Sequence, residues 1–241
     1  MTDASAADVL VFGPHPDDIE LGLGGTIARH AAQGHRVVLV DLTRAELSTN
    51  GTPEEREREA AAAARVLGAA ARENLGWPDG GLSSSPDLIR SAVDAIRRHR
   101  PRTVAIPHWQ DRHPDHVAAS EVLTIAVFRS GLRRFVTDLE AWRPEWTCYY
   151  FINGFAEPSF IIDVSAHYEQ KRAALACYRS QFEAPSQSAD DHRVSTRLTS
   201  PAFRALIESR DAQFGARAGV AFAEGFVVRD PIVRGTLFKE A

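Results

Sequence analysis

The stretch Val9–Gly25 reads VLVFGPHPDDIELGLGG, and it indicates how the chain folds. Its first four residues form a continuous apolar run closed by Gly13, which is typical of a strand buried on both faces of a parallel sheet. Apolar residues at helical spacing follow from Leu21 to Gln33, and the pattern stops at Gly34. A buried strand that leads directly into a helix predicts an α/β fold.

The strand-then-helix pattern repeats along the first half of the chain. We predict further strands at Val37–Leu42, Glu73–Leu75 and Thr103–Ile106, each followed by a helix. Right-handed crossovers between such units favour a Rossmann-like, doubly wound, mostly parallel sheet in the order 3-2-1-4. We expect this core to span about residues 8–131, with a smaller C-terminal elaboration at about 145–241.

The C-terminal elaboration shows shorter and less regular patterns. Glu183–Ser200, rich in Ser, Asp and Pro, is predicted to be a loop and a candidate lid. No linker and no internal repeat divides the chain, so we expect residues 1–241 to form a single domain. The predicted C-terminal strands and helices are Thr147–Ile152, Phe160–Val164, Tyr168–Ser180, Ala202–Ala218 and Ala221–Val228.

Composition excludes several classes of protein. The 241 residues hold 28 Lys+Arg against 32 Asp+Glu, a net charge of −4, whereas nucleic-acid-binding proteins usually need a basic face. No apolar run approaches the ~20 residues of a membrane span, and no signal peptide is apparent. We therefore expect a cytoplasmic protein with neither a nucleic-acid nor a membrane partner. Nine histidines against two cysteines predict that any transition metal is bound by imidazole and carboxylate.

Two tetrapeptides combine imidazole and carboxylate groups, and each comes shortly after a predicted strand. His15-Pro16-Asp17-Asp18 follows the first strand, and His113-Pro114-Asp115-His116 follows the fourth. In a 3-2-1-4 sheet these two strands are neighbours, and folds of this class bind ligands in the crevice at their carboxyl ends. We therefore expect the two tetrapeptides to converge on one site.

The residue types in these motifs predict a mononuclear metal site. His15, Asp18 and His116 would supply three ligands to one zinc ion per chain and leave a fourth position for water. Iron, manganese or cobalt also suits a set of nitrogen and oxygen ligands.

The remaining groups of the two motifs predict acid–base catalysis. Asp17 would act as general base on a water whose pKa the metal lowers. His113 would protonate a leaving group or stabilise an oxyanion, while the Asp115 carboxylate would fix its tautomer and raise its basicity.

Three other interpretations compete with this one. A dinucleotide site is disfavoured because the third glycine position of the fingerprint is Ile27, so we expect Gly22–Gly25 to serve close packing instead. A non-catalytic metal- or sugar-binding module would have no use for the groups beyond the metal ligands. A metallophosphatase would normally use two metals, to which Asp41 and Asp111 could contribute.

The motifs resemble a known family. The two tetrapeptides, with Glu20-Leu21-Gly22-x-Gly24-Gly25 after the first, resemble the LmbE-like or PIG-L family of zinc-dependent N-acetylglucosaminyl deacetylases. Further segments are similar to the branch of bacillithiol biosynthesis, whose members deacetylate N-acetylglucosaminyl-malate. These segments are Asp41–Ser48, Gly51-Thr52-Pro53, Trp109–His116 and Tyr149–Phe155.

The resemblance implies the roles that the residue types predict for the two tetrapeptides, and it implies a homo-oligomer, with a hexamer as one form. It implies that Arg56 and Asp79 bind the sugar, and we expect Glu46 to contact substrate as well. Arg112 is a candidate for the malate carboxylates, which suit a bidentate guanidinium. The family's C-terminal active-site tyrosine has no counterpart in Glu183–Ser200. Mycothiol-type and diacetylchitobiose-type conjugates are the alternative substrates.

Overall fold

The computed structural model describes residues 6–188, 191–233 and 235–236. Its strands are β1 (Val9–Gly13), β2 (Val37–Thr43), β3 (Ala71–Trp77), β4 (Thr103–Pro107), β5 (Trp146–Tyr150), β6 (Phe160–Asp163) and β7 (Ala223–Val227). Its α-helices are α1 (Asp18–Ala32), α2 (Pro53–Leu67), α3 (Pro86–His99), α4 (Pro114–Ser130), α5 (Tyr168–Ala176), α6 (Arg179–Phe182) and α7 (Pro201–Ala218).

The strands form one mixed sheet in the order β3-β2-β1-β4-β5-β7-β6. Strands β1 to β5 are parallel, and Val11 of the central strand pairs with Leu39 on one side and Ala105 on the other. The predicted order 3-2-1-4 is therefore confirmed. The last strand, β7, lies between β5 and β6 and is antiparallel to both.

Alternate residues of the central strands pack against helices on opposite faces of the sheet. Val11 and Leu39 belong to one core cluster together with Ile27 of α1. Leu10 belongs to the other cluster, with Val93 of α3. Because both faces are covered, the runs Val9–Phe12 and Val37–Val40 of the central strands are apolar at every position rather than at alternate positions.

Helix α1 begins at Asp18, one turn earlier than predicted, and it is interrupted at Leu23, whose φ is −145°. The interruption lies at the glycines. A Cβ on Gly22 would lie 2.2 Å from the Tyr150 ring, and one on Gly25 would lie 2.7 Å from Val164. Close packing at Gly22–Gly25, which the sequence predicts, is therefore confirmed.

A buried group of charges holds the interrupted helix against the C-terminal elements. The Glu224 carboxylate on β7 accepts hydrogen bonds from the backbone N–H groups of Gly25 (3.0 Å) and Thr26 (2.7 Å). These donors open the second part of α1, so Glu224 caps it in the way that a side chain caps a helix start.

Lys171 completes this group. Its ammonium lies 2.7 Å from both Glu224 and Asp211, and Arg210 donates to the second oxygen of Asp211 at 2.9 Å. The remaining Arg210 nitrogens donate to three backbone carbonyls. We refer to these four residues as the Lys171 cluster.

The C-terminal region differs in detail from the prediction. The single helix expected at Tyr168–Ser180 is two helices, α5 and α6, and the third strand extends to Ala71–Trp77. Positions 189–190 of the candidate lid lie outside the described residues. The lid's described part is fixed to the core by Asn50, whose side chain exchanges two 2.9 Å hydrogen bonds with the Val194 backbone. Mobility of the lid and the single domain over 1–241 stay predictions.

In the described ranges, every helix is too short or too polar to cross a bilayer.

Candidate active site

The segment after β1 turns sharply into α1 and places two carboxylates at the carboxyl end of the sheet. Asp17 has φ 111°, a left-handed conformation that costs a residue other than glycine ~1–3 kcal/mol. Arg56 donates to the carbonyl of Pro16, and the backbone N–H of Leu21 donates to the carbonyl of Asp17 at 3.0 Å, which fixes this turn. As a result Asp17 and Asp18 are both buried, each 4% exposed.

The segment after β4 brings two imidazoles to the same place. His113 is the N-cap of α4 and Pro114 is its first residue, so the first helical turn carries His116 beneath His113. Their ring centroids are 4.7 Å apart, and the His15 ring lies 5.5 Å from that of His116. The expected convergence of the two tetrapeptides is confirmed.

Three side chains form a compact set of metal-ligand atoms. His15 Nδ1 lies 3.0 Å from Asp18 Oδ2, and His116 Nε2 lies 3.1 Å from the same oxygen. Ligands at ~2.0–2.1 Å from a tetrahedral zinc are about 3.3 Å apart, so this spacing suits such a site with little rearrangement. We refer to His15, Asp17, Asp18 and His116 as the site cluster.

The electrostatic field of the site also favours a cation. Burial opposes the charge of His116, but attraction by Asp18 and hydrogen bonding to Asp111 outweigh it and raise its pKa to about 9. Burial likewise opposes the charge of Asp18, but its contacts with His116 and His15 hold its pKa well below the usual range. A site that stabilises imidazolium in this way also attracts a divalent metal, which suits the same nitrogen and oxygen atoms.

Asp17 lines the same cavity as the ligand residues and pairs with Arg56. Helix α2 starts at the N-cap Thr52, which places Arg56 in its first turn. The Arg56 guanidinium is 3.0 Å from Asp17 Oδ2 and 3.1 Å from the Ser48 hydroxyl. Burial raises the pKa of Asp17 to about 7, against the opposing attraction of Arg56. Arg56 also lines the cavity, and its binding of the sugar stays a prediction.

His113 is held in a defined tautomer, although not by the group that the sequence suggested. Its Nδ1 accepts a hydrogen bond from the backbone N–H of Asp115 at 3.2 Å, which leaves Nε2 to carry the proton of the neutral ring. The Asp115 carboxylate instead contacts His15 Nε2 (3.3 Å) and the Gly80 N–H (2.8 Å). Burial and repulsion from His116 lower the pKa of His113, so the neutral ring is favoured.

The residues expected to bind substrate differ in their positions. Asp79 lines the cavity, and its carboxylate contacts His15 Nε2 at 3.1 Å and accepts from the Leu47 N–H. Glu46 is not among the cavity residues, and its carboxylate accepts from the Asp79 N–H. Arg112 is exposed at the cavity, and among the described residues it has no hydrogen-bond or ion-pair partner.

The site cluster opens into a cavity of about 370 Å³. Its apolar surface includes Leu21, Leu198 and Phe203, and the last two come from the C-terminal region. Sequence reasoning did not assign these residues to the site, because isolated apolar residues in a loop and at a helix start carry no signal of their own. Sequence reasoning also missed the contacts that Asp111 and Asn153 make with His116, although both residues lie in the segments that carry the family resemblance.

Comparison with known proteins agrees with this geometry. A family model described as PIG-L, GlcNAc-PI de-N-acetylase, matches residues 10–127. A diacetylchitobiose deacetylase of Thermococcus kodakarensis is 30% identical over 189 residues, covering 72% of this chain and 70% of that protein. A 1D-myo-inositol 2-acetamido-2-deoxy-alpha-D-glucopyranoside deacetylase of Saccharopolyspora erythraea is 30% identical over 224 residues, covering 69% of this chain and 81% of that protein.

The fold also matches a solved structure. A conserved protein of Thermus thermophilus is 40% identical, with a TM-score of 0.86, and the match covers 97% of this chain and 100% of that one. The α/β fold predicted from the sequence is thereby confirmed.

Proposed function

The chain belongs to the PIG-L de-N-acetylase family, and we propose that it hydrolyses the acetamide of an N-acetylglucosamine conjugate in a metal-dependent reaction. The observation that carries this proposal is the site cluster. Its three ligand atoms lie around one point, and the Asp17 carboxylate stands beside them without being needed as a ligand. A module that only bound a metal or a sugar would have no use for Asp17 and His113 in this arrangement.

The metal is held by His15, Asp18 and His116, with zinc as the first candidate and iron, manganese or cobalt as alternatives. When bound, a divalent cation would polarise the acetamide carbonyl and lower the pKa of the attacking water. One ion per chain satisfies this donor set.

The chain's own groups then move the protons. Asp17 takes a proton from the attacking water as the new C–O bond forms, and Arg56 keeps its carboxylate oriented. The proton held by Asp17 then passes to the amide nitrogen as the C–N bond breaks, which releases acetate and a free amine. The Nε2–H of the neutral His113 ring donates a hydrogen bond to the oxyanion that forms on the acetamide oxygen. Each group is suited to its role, because a pKa of about 7 lets Asp17 both take up and release a proton, and the neutral His113 ring carries its hydrogen-bond donor on Nε2.

N-acetylglucosaminyl-malate is the proposed substrate. The exposed and unpaired guanidinium of Arg112 at the cavity supports an aglycone with carboxylates, since Arg binds carboxylates in a bidentate manner. The Asp79 carboxylate, which contacts His15, is proposed to bind hydroxyl groups of the sugar as well. The named substrates of the relatives, an inositol glycoside and diacetylchitobiose, are uncharged and are the alternatives.

Acetate release tests the proposal. Metal-free protein is loaded with Zn²⁺, and acetate is measured with N-acetylglucosaminides that carry malate, inositol or a second sugar. We expect release from at least one conjugate, with one metal per chain and the highest kcat/KM for malate. Stoichiometric metal without acetate from any conjugate would favour a binding module, and two metals per chain would favour a phosphatase-type centre.

Arg112→Ala tests the choice of aglycone. We expect kcat/KM to fall for the malate conjugate and to change little for the inositol conjugate. Arg134→Ala, at another exposed arginine, is the matched control. An equal effect of Arg112→Ala on both conjugates would overturn the malate assignment and leave the deacetylase proposal intact.

A further inference from the structure

A second cavity of about 160 Å³ adjoins the apolar wall of the site and lies between α5 and α7. Leu21 and Phe203 line both this cavity and the catalytic one, and each is only 3% exposed. These two side chains therefore separate the site from a second space that the proposed function leaves unused. The other apolar side chains of its lining include Leu175, Phe182 and Ile207, and its partly or fully exposed charged residues are Arg172, Arg204 and Glu208.

Phe203 is held in this dividing position by its neighbours. It lies in the first turn of α7, where the Ser200 hydroxyl accepts a hydrogen bond from its backbone N–H at 3.3 Å. Its ring is nearly parallel to that of Phe182, with the centroids 6.4 Å apart, and the Arg197 guanidinium lies 5.1 Å from the Phe203 centroid. Because protein interiors are close-packed, a ring held on several sides keeps the two cavities apart.

The acyl group is the part of the substrate that suits this wall. The acetamide carbonyl has to reach the ligand atoms, and Leu21 lies one helical turn after the ligand Asp18 on α1. Sugar hydroxyls need polar partners such as Asp79, which are found elsewhere in the lining. Leu21, Leu198 and Phe203 all pack in one hydrophobic cluster, so the methyl of the acetamide loses most contact with water there.

We propose that Phe203 is a specificity-determining residue that restricts the substrate to N-acetyl amides by closing the catalytic cavity against the second one. The inference rests on the proposed function and adds the choice of acyl group to it. A longer acyl chain would have to enter the space of the Phe203 ring, and overpacking of this kind lowers kcat/KM roughly 10–100-fold. Without the ring, the two cavities would join and the chain could extend between α5 and α7.

The acyl-chain selectivity of Phe203→Ala tests this inference. Glucosamine conjugates with one aglycone and an N-acetyl, N-butyryl or N-hexanoyl group are given to the zinc-loaded wild type and variant, and the released amine is measured. The reaction is the same for each: water supplies an oxygen to the departing carboxylate, and the amine nitrogen takes up a proton as the C–N bond breaks. We expect the ratio of kcat/KM for hexanoyl to that for acetyl to rise roughly 10–100-fold in the variant. Phe155→Ala, at an exposed phenylalanine, is the control and should keep the wild-type ratio.

Filling the second cavity separates an opened passage from a site that has only become less ordered. In the double variant Phe203→Ala/Leu175→Trp, the indole occupies the space that the hexanoyl chain would use. We expect the hexanoyl-to-acetyl ratio to return toward the wild-type value. A disordered site would keep its broader selectivity in the double variant, and that result would overturn the inference.

A milder variant keeps the test open where Phe203→Ala does not fold. Phe203→Leu leaves an apolar side chain in the hydrophobic cluster and removes only part of the ring's volume. We expect it to gain activity on the butyryl conjugate and to gain less on the hexanoyl conjugate. Equal ratios in Phe203→Leu and the wild type would contradict the inference.

The outcomes also distinguish this inference from the proposed function. If the wild type hydrolyses the hexanoyl conjugate as well as the acetyl one, or if both Phe203 variants keep its selectivity, the inference is wrong and the deacetylase proposal stands. If the wild type releases amine from none of the conjugates, the deacetylase proposal is wrong and the inference falls with it.

Discussion

Two buried groups of charges lie against helix α1, and they are built in opposite ways. The Lys171 cluster, at the interruption of the helix, holds two cations and two carboxylates at hydrogen-bond distance. The site cluster, at the start of the helix, has carboxylates in excess: Asp17 and Asp18, with Asp79, Asp111 and Asp115 around them. Arg56 pairs with one of these five carboxylates, that of Asp17.

The difference separates a structural role from a chemical one. Each charge of the Lys171 cluster has a partner, and no side-chain atom of the cluster is left without a hydrogen bond in the part of the chain described. The residues of the site cluster instead line a cavity, where His15 and His116 share a single oxygen of Asp18. Changes in the Lys171 cluster should therefore affect folding, and changes in the site cluster should affect metal binding and turnover.

Asp17→Asn should give the largest effect, and only on catalysis. We expect kcat for acetate release to fall by roughly 10²–10⁴, the usual contribution of one acid–base group. Zinc stoichiometry and the urea midpoint should change little, because the amide oxygen still accepts from Arg56 and asparagine also tolerates a left-handed φ. Steady-state kinetics with metal analysis measures this. Wild-type turnover in the zinc-loaded variant would remove Asp17 from the mechanism.

Lys171→Met should show the opposite pattern. Removing the ammonium leaves the buried Glu224 without its Lys171 partner and leaves Asp211 paired with Arg210, and breaking a buried pair in this way costs about 3–5 kcal/mol of unfolding free energy. Urea denaturation measures the loss, and kcat of the folded fraction should stay close to the wild type. Arg172→Met, at the neighbouring and partly exposed position, is the control. Unchanged stability in Lys171→Met would show that the cluster does not hold the fold together.

Metal should stabilise the fold through the site cluster alone. Zn²⁺ at 100 times its dissociation constant should raise the free energy of unfolding by about 2.7 kcal/mol, because it binds the folded chain. His116→Ala should lose this stabilisation, and Lys171→Met should keep it even though its baseline is lower. Urea denaturation with and without Zn²⁺ measures each case. Equal stabilisation of His116→Ala would exclude His116 from the ligand set.

Glu157→Gln should have the smallest effect. It removes an ion pair at the surface, for comparison with the buried pairs of Lys171. Glu157 pairs with Arg217 at 3.0 Å, much as Lys171 pairs with its partners, but both side chains are largely exposed. Solvent and salt screen such a pair, so we expect no measurable change in the urea midpoint. A shift as large as that of Lys171→Met would mean that pairing rather than burial determines the cost.

The parallel half of the fold could be predicted because its information is local. Apolar runs such as Val9–Phe12 mark buried strands, and the handedness of crossovers then fixes their order. The runs at Phe160–Val164 and Ala221–Val228 also mark strands, but nothing in them specifies a neighbour. The insertion of β7 between β5 and β6 depends on contacts between distant segments, so the sequence could not indicate it.

The candidate site, like the fold, could be predicted only where its information is local. The two tetrapeptides contain the ligand atoms and follow neighbouring strands, so their convergence could be predicted. Arg56 lies in the strongly charged run Pro53–Glu59, typical of a solvated helix, and its burial depends on Asp17 occupying the space beside it. The carboxylate of Asp115 was assigned to His113 from adjacency, whereas the first turn of α4 directs it toward His15 and Gly80.

The cap that Glu224 supplies to α1 has a consequence for the order in which the protein forms during synthesis. Helix α1 is made long before β7, so the donors of Gly25 and Thr26 receive their partner only when a residue about 200 positions later has been made. Closing so long a loop is slow, and a chain halted before β7 leaves this turn of α1 uncapped. Nascent chains should therefore acquire protease resistance around α1 only after Glu224 has emerged, which couples completion of the active site to the synthesis of β7.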